Sequence, residues 1–279
     1  MKRILLFIIL ASLFFAGCAK TARIRRPSAK IALSEKIEDP SPAFTVGERL
    51  TYMVAWKGIR VGTGTITIEE LTSFKGYEVY KVVAIARTNE FLSRLYKVED
   101  TFISYIDTGK LISRHYESIQ REGRYKKDLV VDYDFDKKIA IYKNLLDGSV
   151  KTCKIEENVQ DPVSAAFFFR TIQAKVGDTI KITVNLNERN YEIFANISKR
   201  AEVVFPGIGA FDAFLLKPYV MKEGKRQRDA SAWGYISSDE KRLGLYIVLK
   251  ILKIPLVGEV TATLEKVEYL NSQRRSPDP

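Results

Sequence analysis

Histidine and cysteine are scarce in this chain, and their scarcity narrows the chemistry that it can perform. The 279 residues include one histidine, His115, and two cysteines, Cys18 and Cys153. A Ser-His-Asp triad or a Cys-His pair would have to use His115, which lies in a strand-like run without a nucleophile motif nearby. Metal sites built from histidine and cysteine are excluded by count. We therefore expect His115 to be a structural or surface residue.

An apolar stretch long enough to span a bilayer is also missing at the N-terminus. Such a helix takes about 20 residues, and residues 4–17 offer fewer before a basic segment begins. They follow a short positive region and end in Phe15-Ala16-Gly17-Cys18, which resembles a bacterial lipobox. This order predicts a lipoprotein signal peptide over residues 1–17. A plain secretory signal and a signal anchor are the alternatives.

Lipidation of Cys18 would set the state of the mature chain. The protein would begin at Cys18, carry diacylglycerol and an acyl chain such as palmitate there, and be held in a membrane of the bacterial cell envelope. Ala19 follows the cysteine where an Asp would favour the inner membrane, so we expect the outer membrane, facing the periplasm. Cys153 is then left without a disulfide partner, and we interpret it as a small buried hydrophobic residue.

The ends of the chain differ in composition from its centre. Residues 18–43 are rich in basic residues and proline and lack a sustained apolar period, which predicts a flexible tether. Residues 271–279 have the composition of a disordered tail. Between them, residues 44–270 are predicted to form a single β-rich domain.

A net charge of +11 suggests an anionic partner. For an exported lipoprotein, such partners are lipid headgroups and envelope polymers rather than nucleic acid. Four basic residues fall within one short loop and could contact such a surface: Lys222, Lys225, Arg226 and Arg228. A solvated hairpin tip is the other interpretation of this loop.

Alternating polarity dominates the central region. In residues 126–135, Leu129, Val131 and Tyr133 alternate with aspartates, as expected of a half-buried antiparallel strand. Similar runs predict mainly β structure, with curved antiparallel sheet or sheets forming a sandwich or a partly open barrel. The predicted strands cover residues 48–56, 59–69, 76–87, 112–121, 126–135, 179–185, 191–205, 211–221, 230–236, 243–252 and 257–269.

Two segments break the strand pattern. Asp161-Pro162 is an N-cap followed by proline at the first helical position, so we expect one main helix over residues 162–174. This helix is apolar most of the way round, which predicts that it packs on the sheet. Residues 89–96 are predicted to form a shorter helical turn. Several strands, such as residues 77–86, are apolar on both faces and therefore need two packed layers or a covered cavity.

Partial motifs for metal binding and catalysis are incomplete. Asp132, Asp134 and Asp136 have the spacing of a calcium loop, but Lys137 and Lys143 occupy the positions that require Gly and Glu. We interpret the aspartates as the solvated face of a strand. We predict no catalytic residue, no metal and no cofactor.

The order of several short motifs resembles a known family. These motifs are GERLTY at 47–52, WKGIRVG at 56–62, FLSRLYKVED at 91–100, QDPVSA at 160–165 and AWGYISSDEKRL at 232–243. Together they are similar to domain-of-unknown-function family 3108, a group of bacterial envelope proteins. The resemblance extends over about residues 44–269 and implies a fold and a location rather than an activity.

These observations favour a binding role over catalysis. We expect a non-enzymatic envelope lipoprotein that binds an amphiphilic or lipid-like ligand between the sheet and the helix. The alternative is a structural or interaction lipoprotein that docks anionic envelope components through its basic surface. A hydrolase comes third. A dry apolar cavity would favour the first hypothesis, and a filled core with an exposed patch would favour the second.

Overall fold

The computed structural model describes residues 31–32, 43–228, 230–252 and 258–270, and most of them lie in β-strands. The strands are β1 Ile31–Ala32, β2 Glu48–Trp56, β3 Ile59–Phe74, β4 Tyr77–Thr88, β5 Glu99–Asp107, β6 Ser113–Glu122, β7 Tyr125–Asp134, β8 Ile139–Asn144, β9 Val150–Lys154, β10 Thr179–Leu186, β11 Arg189–Phe205, β12 Gly209–Lys222, β13 Lys225–Arg226, β14 Ala230–Ser237, β15 Gly244–Ile251 and β16 Glu259–Tyr269. The helices of the described residues are α1 Glu90–Ser93 and α2 Pro162–Thr171.

All of these strands belong to one sheet, ordered β1-β10-β11-β12-β14-β15-β16-β2-β3-β4-β5-β6-β7-β8-β9, with β13 paired to β12. The strands β2 to β9 form one antiparallel meander, and β10 to β16 form a second. Pairing of β16 with β2 joins the two meanders. The connection from β9 to β10 carries α2, which therefore crosses from one end of the strand order to the other.

The sheet curls until its two ends face each other. The hydroxyl of Tyr142 in β8 hydrogen-bonds to Asn185 in β10, and Asn190 Nδ2 donates to the carbonyl of Lys154 at 2.7 Å. Gln160 adds an isolated parallel bridge to Val184. Among the described residues, no ladder of paired strands joins the two ends of the sheet. These side-chain hydrogen bonds and one backbone bridge connect them instead. The result is a partly open barrel, which confirms the predicted curved antiparallel sheet with one main helix.

Helix α2 begins where the sequence predicted. The Asp161 side chain accepts from the Val163 and Ser164 amides, and Ser164 Oγ accepts from the Asp161 amide, which completes a capping box. The helix ends at Thr171, three residues earlier than expected, because Ile172 is extended at φ −77° and ψ 120°. Thr171 donates its hydroxyl to the Phe168 carbonyl, a local bond that competes with further helical turns.

The helix lies inside the curve of the sheet and contacts both β5 and β10. Phe167 is 3% exposed and packs edge-on against Phe44, with 5.0 Å between ring centroids. Val163 and Phe167 belong to a core shared with β3 to β8, whereas Ala165 packs with β10 to β12. One short helix therefore bridges the interiors of both meanders.

Strands β5 and β8 were not predicted. The inward face of β5 carries Asp100, Phe102, Ser104 and Ile106 in turn, and the polar Asp100 and Ser104 are fully buried, so its pattern lacks the usual alternation. Strand β3 also runs past its predicted end to Phe74, because a register shift after Ile68 interrupts the alternation. The segment of α1 was predicted as a helical turn, and a single turn is present.

Candidate functional site

A cavity of about 190 Å³ lies between α2 and the sheet and is partly open to solvent. It exceeds the roughly 150 Å³ of an apolar cavity that stays dry and accepts benzene. Strands β2 to β4, β10 to β12 and β14 to β16 contribute to its wall. Most of the lining is aliphatic or aromatic, including Leu50, Ile66, Ile85, Val163, Phe167, Phe169, Ile180, Ile182, Ile193, Leu216, Trp233, Ile236 and Ile247.

Small residues leave this space unfilled. Ala166 projects from α2, and Ala195 and Ala262 stand at wall positions of β11 and β16. Gly64, Gly234 and Gly244 add three positions without side chains. Gly234 is also required by close backbone packing, because a Cβ there would lie 2.5 Å from the Tyr246 carbonyl oxygen. Large residues across the space and small ones on its wall therefore produce a cavity rather than a filled core.

Arg170, one of two arginines in the cavity lining, is fully paired. Its Nη1 and Nη2 donate to Glu48 Oε1 and Oε2 at 2.6 and 3.1 Å, and both side chains are buried. Its Nε donates to the Lys241 carbonyl at 2.8 Å, and Nη2 also reaches the Ala43 carbonyl at 2.7 Å. These bonds tie α2 to β2 and to the turn before β15, so we assign Arg170 a structural role.

Arg242, the second arginine of the lining, is paired incompletely. It lies between β14 and β15, and its buried Nη1 has no hydrogen-bond partner among the described residues. The Phe214 ring lies 5.7 Å from the guanidinium carbon. Asp239 is exposed and raises the pKa of Arg242, but burial lowers that pKa by more. A charged group therefore borders an apolar cavity with little to neutralise it.

Tyr52 brings a phenol to the same part of the lining. Its hydroxyl lies 3.5 Å from where a Cβ on Gly244 would stand, and Gly244 follows Arg242 by two residues. Burial raises the pKa of Tyr52 to about 12, with smaller effects from Arg170 and Glu48. The phenol is therefore neutral near pH 7 and can donate a hydrogen bond.

A second polar group of residues lies inside the barrel on β5, β6 and β7. Asp100 and Glu122 share a side-chain hydrogen bond, and Gln120 Nε2 lies 3.3 Å from Glu122 Oε1. Burial, the charge of Asp100 and the hydrogen bond with Asp100 raise the pKa of Glu122 to about 7. Burial also lowers the pKa of Lys127, which borders a small space of about 20 Å³, to about 8. We call Asp100 and Glu122 the acid pair.

The basic loop predicted from the sequence is a hairpin tip. Lys222 ends β12, and Lys225 and Arg226 form β13, which folds back on it. Lys225, Arg226 and Arg228 are exposed, and Arg226 stacks on Tyr219 at 4.5 Å. None of the four lines the cavity.

The remaining residues singled out from the sequence lie elsewhere. Cys18 lies outside the described residues. Cys153 is only half-buried and receives a bond from Asn185 Nδ2 at 3.3 Å. His115 Nδ1 lies 2.8 Å from Asp132 Oδ1. This hydrogen bond is the main reason that the pKa of Asp132 falls to about 2. Asp132 is thus paired rather than freely solvated. No cluster of potential metal ligands occurs among the described residues.

Six exposed apolar side chains lie at one end of the barrel. They lie at the turns that join β2 to β3, β4 to β5, β8 to β9 and β15 to β16, which share one end because neighbouring strands are antiparallel. We call them the apolar rim: Ile59, Phe91, Leu95, Leu145, Leu146 and Leu252. The basic hairpin after β12 lies at the same end. Within the described part of the chain, no helix is both long and apolar enough to cross a membrane.

A mainly antiparallel, partly open barrel around one helix defines the class of this protein. The chain belongs to the family described as "Protein of unknown function (DUF3108)", whose family model matches residues 51–265. This match confirms the resemblance seen in the sequence. No curated protein matches the chain.

Solved structures with a similar fold have very different sequences. A β-barrel-like protein of domain-of-unknown-function family DUF1849 from Brucella abortus is 8% identical, with a TM-score of 0.54 over 81% of this chain and 99% of that one. A candidate lipoprotein from Parabacteroides distasonis is 10% identical, with a TM-score of 0.34 over 83% and 100%. A candidate exported protein with a YmcC-like fold from Bacteroides fragilis is 11% identical, with a TM-score of 0.30 over 80% and 96%. The first likeness concerns the fold alone.

Proposed function

We propose that this protein is a non-enzymatic lipoprotein of the bacterial cell envelope that holds an amphiphilic, lipid-like ligand inside its barrel. The observation that carries the proposal is the apolar cavity of about 190 Å³ between α2 and the sheet. Each methylene group moved from water into such a site contributes about 0.8 kcal/mol. A segment of six methylenes therefore contributes about 5 kcal/mol, enough to offset much of the cost of association.

The chemistry of the lining supports binding rather than catalysis. Among the described residues that line the cavity, there is no histidine, cysteine or carboxylate. These are the groups that most often act as nucleophiles or as general acids and bases. The polar side chains that are present, chiefly arginine and tyrosine, are suited to holding a ligand.

Ligand binding can be tested by titrating a fluorescent fatty acid into the chain from residue 18 onward, carrying Cys18→Ser. We expect saturable binding that changes little with salt. Ala166→Phe places a ring in the cavity and should weaken binding at least tenfold. Ala210→Phe makes the same change at an exposed position of β12 and should bind like the unmodified chain. Absence of saturable binding, or equal binding by both variants, would refute the proposal.

A second candidate function is docking on an anionic lipid surface, favoured by the composition of one barrel end. Phe91 and Leu95 are 76% and 78% exposed there. Large apolar side chains exposed to this extent are unfavourable in water and mark a surface that another molecule covers. The exposed Lys225 and Arg226 lie at the same end and would be attracted to anionic headgroups. Apolar side chains flanked by basic ones match the chemistry of a membrane interface.

Vesicle sedimentation tests this docking. We expect the chain to bind vesicles that contain phosphatidylglycerol, more weakly at high salt, and to bind phosphatidylcholine vesicles poorly. Replacing Phe91 and Leu95 by Ser should reduce binding. Val204→Ser is the matched control, because Val204 is 71% exposed at the opposite end of the barrel. If the control lowers binding as much as the rim variant, the rim does not provide the contact.

A further inference from the structure

Arg242 is half-buried in the cavity lining, and its Nη1 is buried without a hydrogen-bond partner among the described residues. The Phe214 ring lies 5.7 Å from the guanidinium carbon, and the exposed Asp239 supplies only part of the electrostatic compensation for burial. A buried donor left without a partner is unfavourable. Arg170, in the same lining, shows the contrast, because both of its terminal nitrogens are bonded to Glu48.

From this contrast we propose that Arg242 binds the anionic head of the ligand, a carboxylate or a phosphate, while the apolar part of the cavity holds the chain. The proposal rests on the proposed function and names the class of ligand: a single-chain anionic amphiphile. Tyr52 is placed to donate a second hydrogen bond to the same head, because its hydroxyl and Arg242 border the cavity close to Gly244.

The geometry suits an anion bound by a chain rather than a free ion. A guanidinium presents planar donors that fit carboxylate and phosphate oxygens. Most of the surface around it is apolar, and a small inorganic anion would gain nothing from that surface. An amphiphile gains both the ionic contact and the burial of its chain.

The test compares a fatty acid with the fatty alcohol of the same chain length, each titrated into the chain from residue 18 carrying Cys18→Ser. We expect the acid to bind the unmodified cavity more tightly than the alcohol. Arg242→Gln should weaken acid binding by about 10- to 100-fold, the loss of one hydrogen bond to a charged group, and leave alcohol binding within about twofold. Arg242→Lys keeps the charge and should recover part of the affinity. Arg124→Gln, an exposed control outside the cavity lining, should change neither ligand.

Thermal unfolding without ligand separates this role from a structural one. Arg242→Gln removes a half-buried charge whose Nη1 lacks a hydrogen-bond partner among the described residues, so the midpoint should stay or rise. A lower midpoint would mean that Arg242 supports the fold and would overturn the assignment.

The outcomes also separate this inference from the proposed function. If acid and alcohol bind equally and Arg242→Gln changes neither, the cavity binds chains but Arg242 does not select the head. If neither binds, the proposed function itself fails. Inorganic phosphate at millimolar concentration should not displace the fatty acid, and displacement would indicate a site for free anions.

Discussion

Replacing Glu122 by Gln tests the electrostatics of the acid pair inside the barrel. Glu122 is 3% exposed and shares a hydrogen bond with Asp100. Tyr96 and Lys127 are the other titratable groups that interact with it. The pKa of Glu122 is raised from 4.5 to about 7, chiefly by burial and then by the charge of Asp100.

The sign of the effect follows from proton binding. Because the folded protein holds the Glu122 proton more tightly than the unfolded chain, this group favours folding fully below pH 4.5 and loses that contribution as the pH rises through about 7. The pKa of Glu122 differs by about 2.5 between the folded and unfolded chain, and each pKa unit is worth about 1.36 kcal/mol. Ionisation of Glu122 therefore lowers the free energy of unfolding at pH 8 by about 3 kcal/mol relative to low pH. A glutamine cannot ionise, and its amide can still donate to Asp100.

Urea unfolding, followed by tryptophan fluorescence, measures the difference. We expect Glu122→Gln to increase the free energy of unfolding by about 2–3 kcal/mol at pH 8 and by almost nothing at pH 4. Glu240→Gln, at an exposed turn, is the control and should behave alike at both pH values. A Glu122→Gln effect that is the same at both pH values, or destabilising at pH 8, would show that the reasoning about this pair is wrong.

Three further predictions concern packing, pairing and anchoring. Phe167→Ala should lower the free energy of unfolding by about 3–5 kcal/mol, and Phe169→Ala by less because Phe169 is only half-buried; equal thermal midpoints would contradict this packing. Glu48→Gln should cost about 3–5 kcal/mol in urea unfolding by leaving Arg170 buried without its partner, whereas a small loss would mean that solvent reaches the pair. Cys18→Ser should abolish labelling of the protein by an alkyne fatty acid in cells, and equal labelling would refute the predicted lipidation.

The sequence predicted the strands and the main helix better than it predicted the packing inside the barrel. Strict alternation marks strands such as β7, and Asp161-Pro162 marks the start of α2, because both signals are local. Strand β5 was missed because two of its inward residues, Asp100 and Ser104, are polar and find their partners on β6 and at the start of α2. The segment of β8 lies between turn signals at 136–138 and 147–148 and was not predicted as a strand.

The cavity could be predicted only as one of two possibilities. Strands that are apolar on both faces required either two packed layers or a covered cavity. Small residues such as Ala166 and Ala262 show that a cavity is present only once the position of α2 against the sheet is known. Arg242 falls within the family motif at 232–243, but nothing in that motif marks it as a binding residue. Its importance comes from what is missing around Nη1, and that depends on how the turn before β15 meets the cavity.

Native mass spectrometry of the protein extracted from its own membrane shows whether the barrel holds a ligand. We expect the wild-type chain to carry a non-covalent anionic amphiphile, and the same molecule to be lost from Ala166→Phe and depleted from Arg242→Gln. A wild-type chain that carries no such molecule, with a spectrum matching that of Ala166→Phe apart from the substitution, would contradict this expectation.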